Sequence, residues 1–192
     1  QHGYRGFNFR DIAEGLGTTR ANLHYHFGNK DRLVLEVLDE YATSTVAFYE
    51  SIWTDPGTSL RTKVHKTVEH ARQRYRKLNT PKDIGAPWSL LIRLRSDADA
   101  LTPLMQQILQ NTTREFEQLV RMGVRLAIHS GELRSETPEE DVTVILATII
   151  HYAGSVTRDH KDFQRLEKLW EAAITMVEEA YSGSGAAPSA RE

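Results

Sequence analysis

Polar or amphipathic side chains with nucleic-acid-binding chemistry stand close together in this 192-residue chain, at Arg20, Asn22, His24, Tyr25 and His26. Arginine can donate two hydrogen bonds to guanine, and asparagine pairs in the same way with adenine. Tyrosine and histidine can reach phosphates or thymine methyl groups. Lys30 follows where a helix is expected to begin, so its charge opposes the helix dipole. A neighbouring phosphate explains this lysine better than local stability does.

Two short helices joined by a tight turn are predicted to position these side chains. Asn8 is suited to cap the first helix, because its side-chain oxygen can accept from free amides of the first turn. One apolar face of that helix is expected to be buried and is formed by Phe9, Ile12, Ala13 and Leu16. Gly17 is expected to end the helix in a left-handed conformation.

The second helix is predicted over residues 20–27, with Thr19 as its cap and with Leu23 and Phe27 on its inner side. Gly28 then stops the helix, and Asn29 caps a longer helix that starts at Lys30. A helix, a short turn with glycine and a second helix form the helix-turn-helix pattern, in which the second helix enters the major groove of DNA.

This stretch resembles the DNA-binding domain of the tetracycline-repressor (TetR) family of bacterial transcription regulators. The residues that carry the resemblance are Gly3-Tyr4, Asn8, Asp11-Ile12-Ala13, Gly17, Thr19, Leu23-His24-Tyr25-His26-Phe27, Lys30 and Leu33. His24 departs from the family pattern, because the family usually has a phosphate-contacting tyrosine there. Tyr25 is the alternative for that contact.

The resemblance implies a DNA-binding site built from both short helices. Base-edge contacts are expected from Arg10, Arg20 and Asn22, with Ala21 close to a thymine methyl group. The expected phosphate contacts and remaining DNA-site positions are Asn8, Thr19, His24, Tyr25, His26 and Lys30.

Composition agrees with a soluble globular protein, and we expect a cytoplasmic location. Hydrophobic residues make up 40% and charged residues 26% of the chain, and no apolar run is long enough to span a membrane. The net charge is only -2, although residues 1–33 hold five Lys or Arg against three Asp or Glu. The absence of cysteine excludes disulfides and cysteine-based zinc sites.

The remaining chain is predicted to be all-α. Helices are expected over 30–53, 60–78, about 87–96, 104–129, 138–157 and 162–181, with a loop over 79–87. Ser59 and Thr137 are expected caps, and Pro103 and Pro138 suit first helical turns. The basic face of the 60–78 helix is interpreted as solvated and consists of Arg61, Lys63, Lys66, Arg72, Arg74, Arg76 and Lys77.

Three parts are predicted along the chain: a DNA-binding domain over 1–47, a helical ligand-binding and dimerisation domain over 48–181, and a disordered tail over 182–192. Family members carry a helix before Gly3, and residues 1–4 read as its end, so we expect the numbered sequence to be the ordered part of a longer chain.

The last two helices are apolar over more than one face, which predicts a homodimer interface. The expected interface residues are Ile145, Ile149, Tyr152, Leu166, Trp170, Ala173 and Val177. A dimer presents two recognition helices about 34–36 Å apart to a palindromic operator. A satisfied buried histidine is the favoured interpretation of His151.

The resemblance also implies a small-molecule effector, inducer or co-repressor, that acts on the helical domain. Residues that could line its pocket, or simply form core, are Trp53, Tyr75, Trp88, Arg93 and Phe116. Binding would shift the helix that begins at Lys30 and move the recognition helices out of register. The ligand would need different affinities for the two spacings.

The expected function is a ligand-responsive repressor, and two other classes of protein are the alternatives. A helical small-molecule-binding or scaffold protein that no longer binds DNA would not need Arg20, Asn22 and Lys30. An enzyme has no support from a nucleophile–base pair, a phosphate loop or metal-ligand spacing. His24 and His26 point apart on a helix and cannot chelate one metal, so we expect no metal and no cofactor.

Overall fold

The computed structural model describes residues 4–79 and 88–183. Within them the protein consists of eight α-helices and one 3-10 turn, without a β-strand. The helices are α1 (Phe9–Gly15), α2 (Arg20–Phe27), α3 (Lys30–Trp53), α4 (Leu60–Leu78), α5 (Leu90–Arg95), α6 (Pro103–His129), α7 (Glu139–His160) and α8 (Gln164–Tyr181). The 3-10 turn is Ala98–Ala100. The predicted all-α fold with an N-terminal helix-turn-helix is confirmed.

Capping side chains set the bounds of the first two helices. The Asn8 side chain accepts from the backbone N–H groups of Arg10 and Asp11, and Asp11 accepts in return from the Asn8 backbone. Gly17 and Gly28 follow α1 and α2 with φ angles of +63° and +70°, a region that favours glycine. The predicted bounds of α2 and the start of α3 are therefore confirmed.

A small separate core holds α1 and α2 against α3. Its buried residues are Phe9, Ala13, Leu23 and Leu33, with Ile12 and Phe27 packed beside them. The prediction that Leu16 is buried is wrong, because this residue follows the last turn of α1 and is 70% exposed. The helix-turn-helix thus depends on few apolar contacts of its own.

Helix α3 joins this part to the larger helical core and passes the predicted boundary at 47/48 without a break. Its last residue, Trp53, is fully buried against α6. A Cβ atom at Gly123 would lie 2.6 Å from the Trp53 ring, so this close approach requires glycine. Movements of α3 are therefore tied to the packing of α6.

The basic face of α4 is only partly solvated, in contrast to the sequence interpretation. Arg61 forms ion pairs with Glu171 and Glu178 of α8, and Arg72 pairs with Glu167 of α8. The sequence interpretation is wrong at these positions because acidic residues distant in sequence, on α8, face them. Arg76 and Lys77 are exposed.

Lys63 is the strongest exception on α4, since its residue surface is only 1% exposed. Its Nζ donates to the backbone oxygens of Asp55 and Thr58 and to the Thr58 hydroxyl. The ammonium group therefore supplies hydrogen bonds to backbone and side-chain oxygens of the turn between α3 and α4. The pattern of basic residues alone could not reveal that role.

The C-terminal helices differ from prediction at their ends. The Thr137 hydroxyl donates to the Arg134 carbonyl instead of capping α7, and α7 extends to His160. Backbone bonds join Gly183 to Glu132, so residues 182–183 are not part of a disordered tail. The rest of that tail, most of the predicted 79–87 loop and the predicted end of an earlier helix at residues 1–3 lie outside the described residues.

Candidate nucleic-acid interface

The outward face of α2 carries most of the predicted recognition residues. Arg20, Ala21, Asn22 and His26 are exposed, and Tyr25 is 85% exposed. Leu23 is 5% exposed and fixes the inward side of the same helix. The structure therefore places these side chains on one accessible surface, with α1 packed behind it.

His24 connects Arg20 to the end of α2. The Arg20 Nε–H donates to His24 Nε2 over 3.3 Å, so His24 must carry its proton on Nδ1, which lies 2.9 Å from the Gly28 carbonyl. The imidazole also packs edge-on against Phe9, with ring centroids 4.6 Å apart. Both ring nitrogens of His24 are thus engaged within the protein, whereas the Arg20 Nη groups have no partner among the described residues.

Asn22 is held at the turn that precedes α2. Its Nδ2 donates to the Thr18 hydroxyl over 3.0 Å, and its backbone N–H donates to the Thr19 hydroxyl over 3.1 Å. This fixes the orientation of the amide and leaves its Oδ1 free of described partners. Thr19 caps the helix with the same oxygen that was expected at a phosphate.

Lys30 has a local partner that the sequence analysis missed. Its Nζ lies 4.5 Å from the Tyr4 ring centroid and 4.7 Å from the Phe7 ring centroid. Such cation–π contacts stabilise a lysine at the start of α3, so local stability explains its position as well as a phosphate does. The aromatic residues at 4 and 7 were the available signal.

Tyr4 forms hydrogen bonds with Asp31 at the start of α3 and with Asp97, which follows α5. Its hydroxyl donates to Asp31, and its backbone N–H donates to Asp97 Oδ2 over 2.7 Å. Burial, together with the hydrogen bond and negative charge of Asp31, raises the pKa of Tyr4 to about 12. Asn8 uses its side chain for capping, and Arg10 is exposed at the start of α1.

The residues predicted to line a ligand pocket lie in the core with different neighbours. Trp53 packs on Gly123, the Trp88 indole donates to Thr157 over 2.9 Å, and Tyr75 packs on Phe163. Phe116 contacts the Tyr49 and His151 rings, and the Nε of Arg93 is buried without a described partner. Four of the five belong to or pack on one hydrophobic core, and the described hydrogen bond and packing contacts join each of these four to a residue outside the set.

The predicted interface residues divide into three groups. Ile145 and Tyr152 are 49% and 63% exposed, but Leu166 and Trp170 are buried within the single chain and offer no surface to a partner. Ile149, Ala173 and Val177 line the floor of an apolar groove of about 770 Å³ between α7 and α8. The interface prediction did not include three further exposed residues of the groove, which are Val144, Leu169 and Met176.

Fold and surface together define a class of protein: an all-helical protein with an N-terminal helix-turn-helix whose second helix exposes polar side chains. Residues 1–37 match the sequence model of bacterial regulatory proteins of the tetR family. The N-terminal part of the chain is therefore a TetR-type DNA-binding domain.

Solved structures support the fold over nearly the whole chain. The reduced form of E. coli NemR is 12% identical with a TM-score of 0.77, covering 97% of this chain and 92% of NemR. A TetR-family regulator from Agrobacterium tumefaciens is 16% identical with a TM-score of 0.76, covering 91% and 88%. A cysteine mutant of CifR in complex with 26-bp operator DNA is 22% identical with a TM-score of 0.67, covering 91% and 88%.

No curated protein sequence matches the chain. In residues 4–79 and 88–183 no group of three or more His, Cys, Asp or Glu residues could hold a metal ion. None of the helices in that part of the chain is both long and apolar enough to cross a membrane.

Proposed function

We propose that the protein is a homodimeric repressor that binds a palindromic operator in the cytoplasm and responds to a small-molecule effector. The observation that carries this proposal is the pre-organised outer face of α2. Arg20 and Asn22 are each oriented by a hydrogen bond on one side while their remaining polar groups have no described partner. Side chains fixed in this way lose little freedom when they bind base edges.

In this proposal the two helices of the DNA-binding domain divide the contacts. Arg10, Arg20 and Asn22 contact bases, and Ala21 lies near a thymine methyl group. The phosphate contacts come from Thr19, Tyr25, His26 and Lys30, with Asn8 at the start of α1. We assign His24 the positioning of Arg20, because both of its ring nitrogens are already engaged.

The α7–α8 groove supports the proposed homodimer. Five large apolar side chains along it are between 40% and 69% exposed, and such a contiguous patch marks an interaction surface. A second copy related by a two-fold axis would cover these side chains with the same two helices. The result is a four-helix interface that fixes the separation of the two α2 helices.

Selection of bound fragments from random-sequence DNA tests this function. We expect enrichment of two inverted half-sites whose centres are about 10 bp or a multiple of that apart, and repression of a reporter that carries the selected site. Enrichment of single half-sites would contradict the dimeric arrangement. A lack of any enrichment would favour a helical binding protein that has lost DNA recognition.

A further inference from the structure

A second cavity lies between the segment that follows α5 and the N-terminal half of α6. It measures about 360 Å³, at the lower end of the range of small-molecule sites. Arg95 reaches it from α5, and Gln106, Gln110 and Thr113 line it from α6. Ala98 and Leu109 supply apolar surface. The cavity therefore combines the positive charge of Arg95 with neutral hydrogen-bonding groups and with one acidic side chain, Asp99.

Arg95 stands in this cavity without a carboxylate partner. Its Nη2 donates to the Thr113 hydroxyl over 2.8 Å and to the Leu109 carbonyl over 3.4 Å. No described carboxylate lies within ion-pair distance of it, unlike Arg61, Arg72 and Arg121 elsewhere on the helical domain. A half-buried guanidinium with only neutral partners favours an anion.

A buried histidine lies near Arg95 and adds no positive charge at neutral pH. His151 of α7 stacks on Phe116, and its Nε2 is buried without a described partner. Burial, and the nearby charge of Arg95, lower the pKa of His151 to about 4. The histidine is therefore neutral at neutral pH, and Arg95 remains the local source of positive charge.

The only acidic group that lines the cavity among the described residues is Asp99, and it already has a partner. Asp99 pairs with Arg5 of the DNA-binding domain. Asp97, two positions before Asp99, accepts a hydrogen bond from the Tyr4 backbone N–H. The 97–99 turn thus has one side on the cavity and the other on residues 4 and 5. Tyr4 in turn contacts Lys30 and Asp31 at the start of α3.

We propose that this cavity binds a small organic carboxylate through Arg95, and that the bound carboxylate weakens the contact of the 97–99 turn with Tyr4 and Arg5. The negative charge of the ligand lies beside Asp99 and repels it. The ligand consequently has a higher affinity for the arrangement in which the turn has moved, and DNA affinity falls by the same coupling factor. This inference rests on the proposed ligand-responsive function and names its effector class.

Calorimetric titration of the full chain without DNA tests the site. The probes are acetate, butyrate and benzoate at constant ionic strength, with benzamide as the uncharged match of benzoate. We expect at least one carboxylate to bind once per chain, and benzoate to bind at least about tenfold more tightly than benzamide. Arg95→Gln should abolish this preference, and Arg95→Lys should retain part of it. Arg114→Gln removes an exposed arginine of α6 and should change nothing.

DNA binding of the same proteins tests the coupling. The best carboxylate should weaken operator binding by wild type, whereas Asp97→Ala combined with Asp99→Asn should bind the carboxylate without any change in DNA affinity. The inference is overturned if no probe binds, if benzamide binds as well as benzoate, if Arg95→Gln keeps the preference, or if the double variant still responds. DNA binding that persists in those cases leaves the regulator function intact, and carboxylate binding without DNA binding would refute that function alone.

Discussion

The buried ammonium group of Lys63 gives the most direct test of how the helical domain is held together. Its Nζ satisfies two backbone carbonyls and one hydroxyl in the turn between α3 and α4. Lys63→Met keeps most of the side-chain volume, including the Cδ position that packs near Gly123, but leaves these oxygens without a donor. An unsatisfied buried polar group costs about 1–3 kcal/mol.

The desolvation cost of burying the ammonium disappears in the same variant, so the net loss is smaller than the sum of three bonds. We expect the free energy of unfolding to fall by about 2 kcal/mol, which corresponds to about 4–8 °C in Tm for a chain of this size. Urea and thermal unfolding followed by circular dichroism, at one protein concentration, measure both values.

Lys66→Met is the matched control, because Lys66 lies on the same helix with its side chain 46% exposed and its Nζ 4.0 Å from Asp55. It should change stability by less than about 0.5 kcal/mol. Equal stability of Lys63→Met and wild type would refute the reasoning, since the turn would then not depend on the buried donor.

Three other residues, Ile145, His151 and His24, give independent predictions. Ile145→Asp should convert the proposed dimer to monomers in analytical ultracentrifugation, whereas Leu104→Asp, an equally exposed change on α6, should not; a dimer in both would place the interface elsewhere. Because the pKa of His151 is lowered to about 4 by burial, the unfolded chain binds more protons below about pH 6.5. Wild type should therefore lose on the order of 2 kcal/mol between about pH 6.5 and 4, and His151→Phe should lose less over that range in urea titrations. His24→Phe should weaken operator binding about fivefold by removing the acceptor of Arg20, and unchanged affinity in fluorescence anisotropy would argue against a positioning role.

Local signals made the helix-turn-helix predictable. Asn8, Thr19 and Asn29 each satisfy free amides at a helix start, and Gly17 and Gly28 take the left-handed conformation that ends the preceding helix. These interactions involve residues two to four positions apart, so the sequence contains both partners side by side. The bounds of α2 followed from them directly.

Long-range packing was not predictable in the same way. Helical periodicity identifies Leu166 and Trp170 as apolar, but only the packing of α8 shows that they face the core and not a partner. Likewise, Arg61 and Arg72 look solvent-exposed until the acidic residues of α8 are placed opposite them. Arg95 gave no sequence signal at all, because its cavity depends on the position of the 97–99 turn.

In the proposed function Asn22 reads bases while Lys30 contacts the DNA backbone. Binding to the selected site and to a scrambled site, measured over a series of salt concentrations, tests it most directly. Asn22→Ala should lose about 1–3 kcal/mol on the selected site alone. Lys30→Met, which keeps an apolar side chain beside Tyr4 and Phe7, should weaken both DNAs and reduce the salt slope by about one. Lys77→Met, an exposed change on α4, should leave both curves unchanged. Equal losses on both DNAs for Asn22→Ala, or an unchanged salt slope for Lys30→Met, would rule out these two roles.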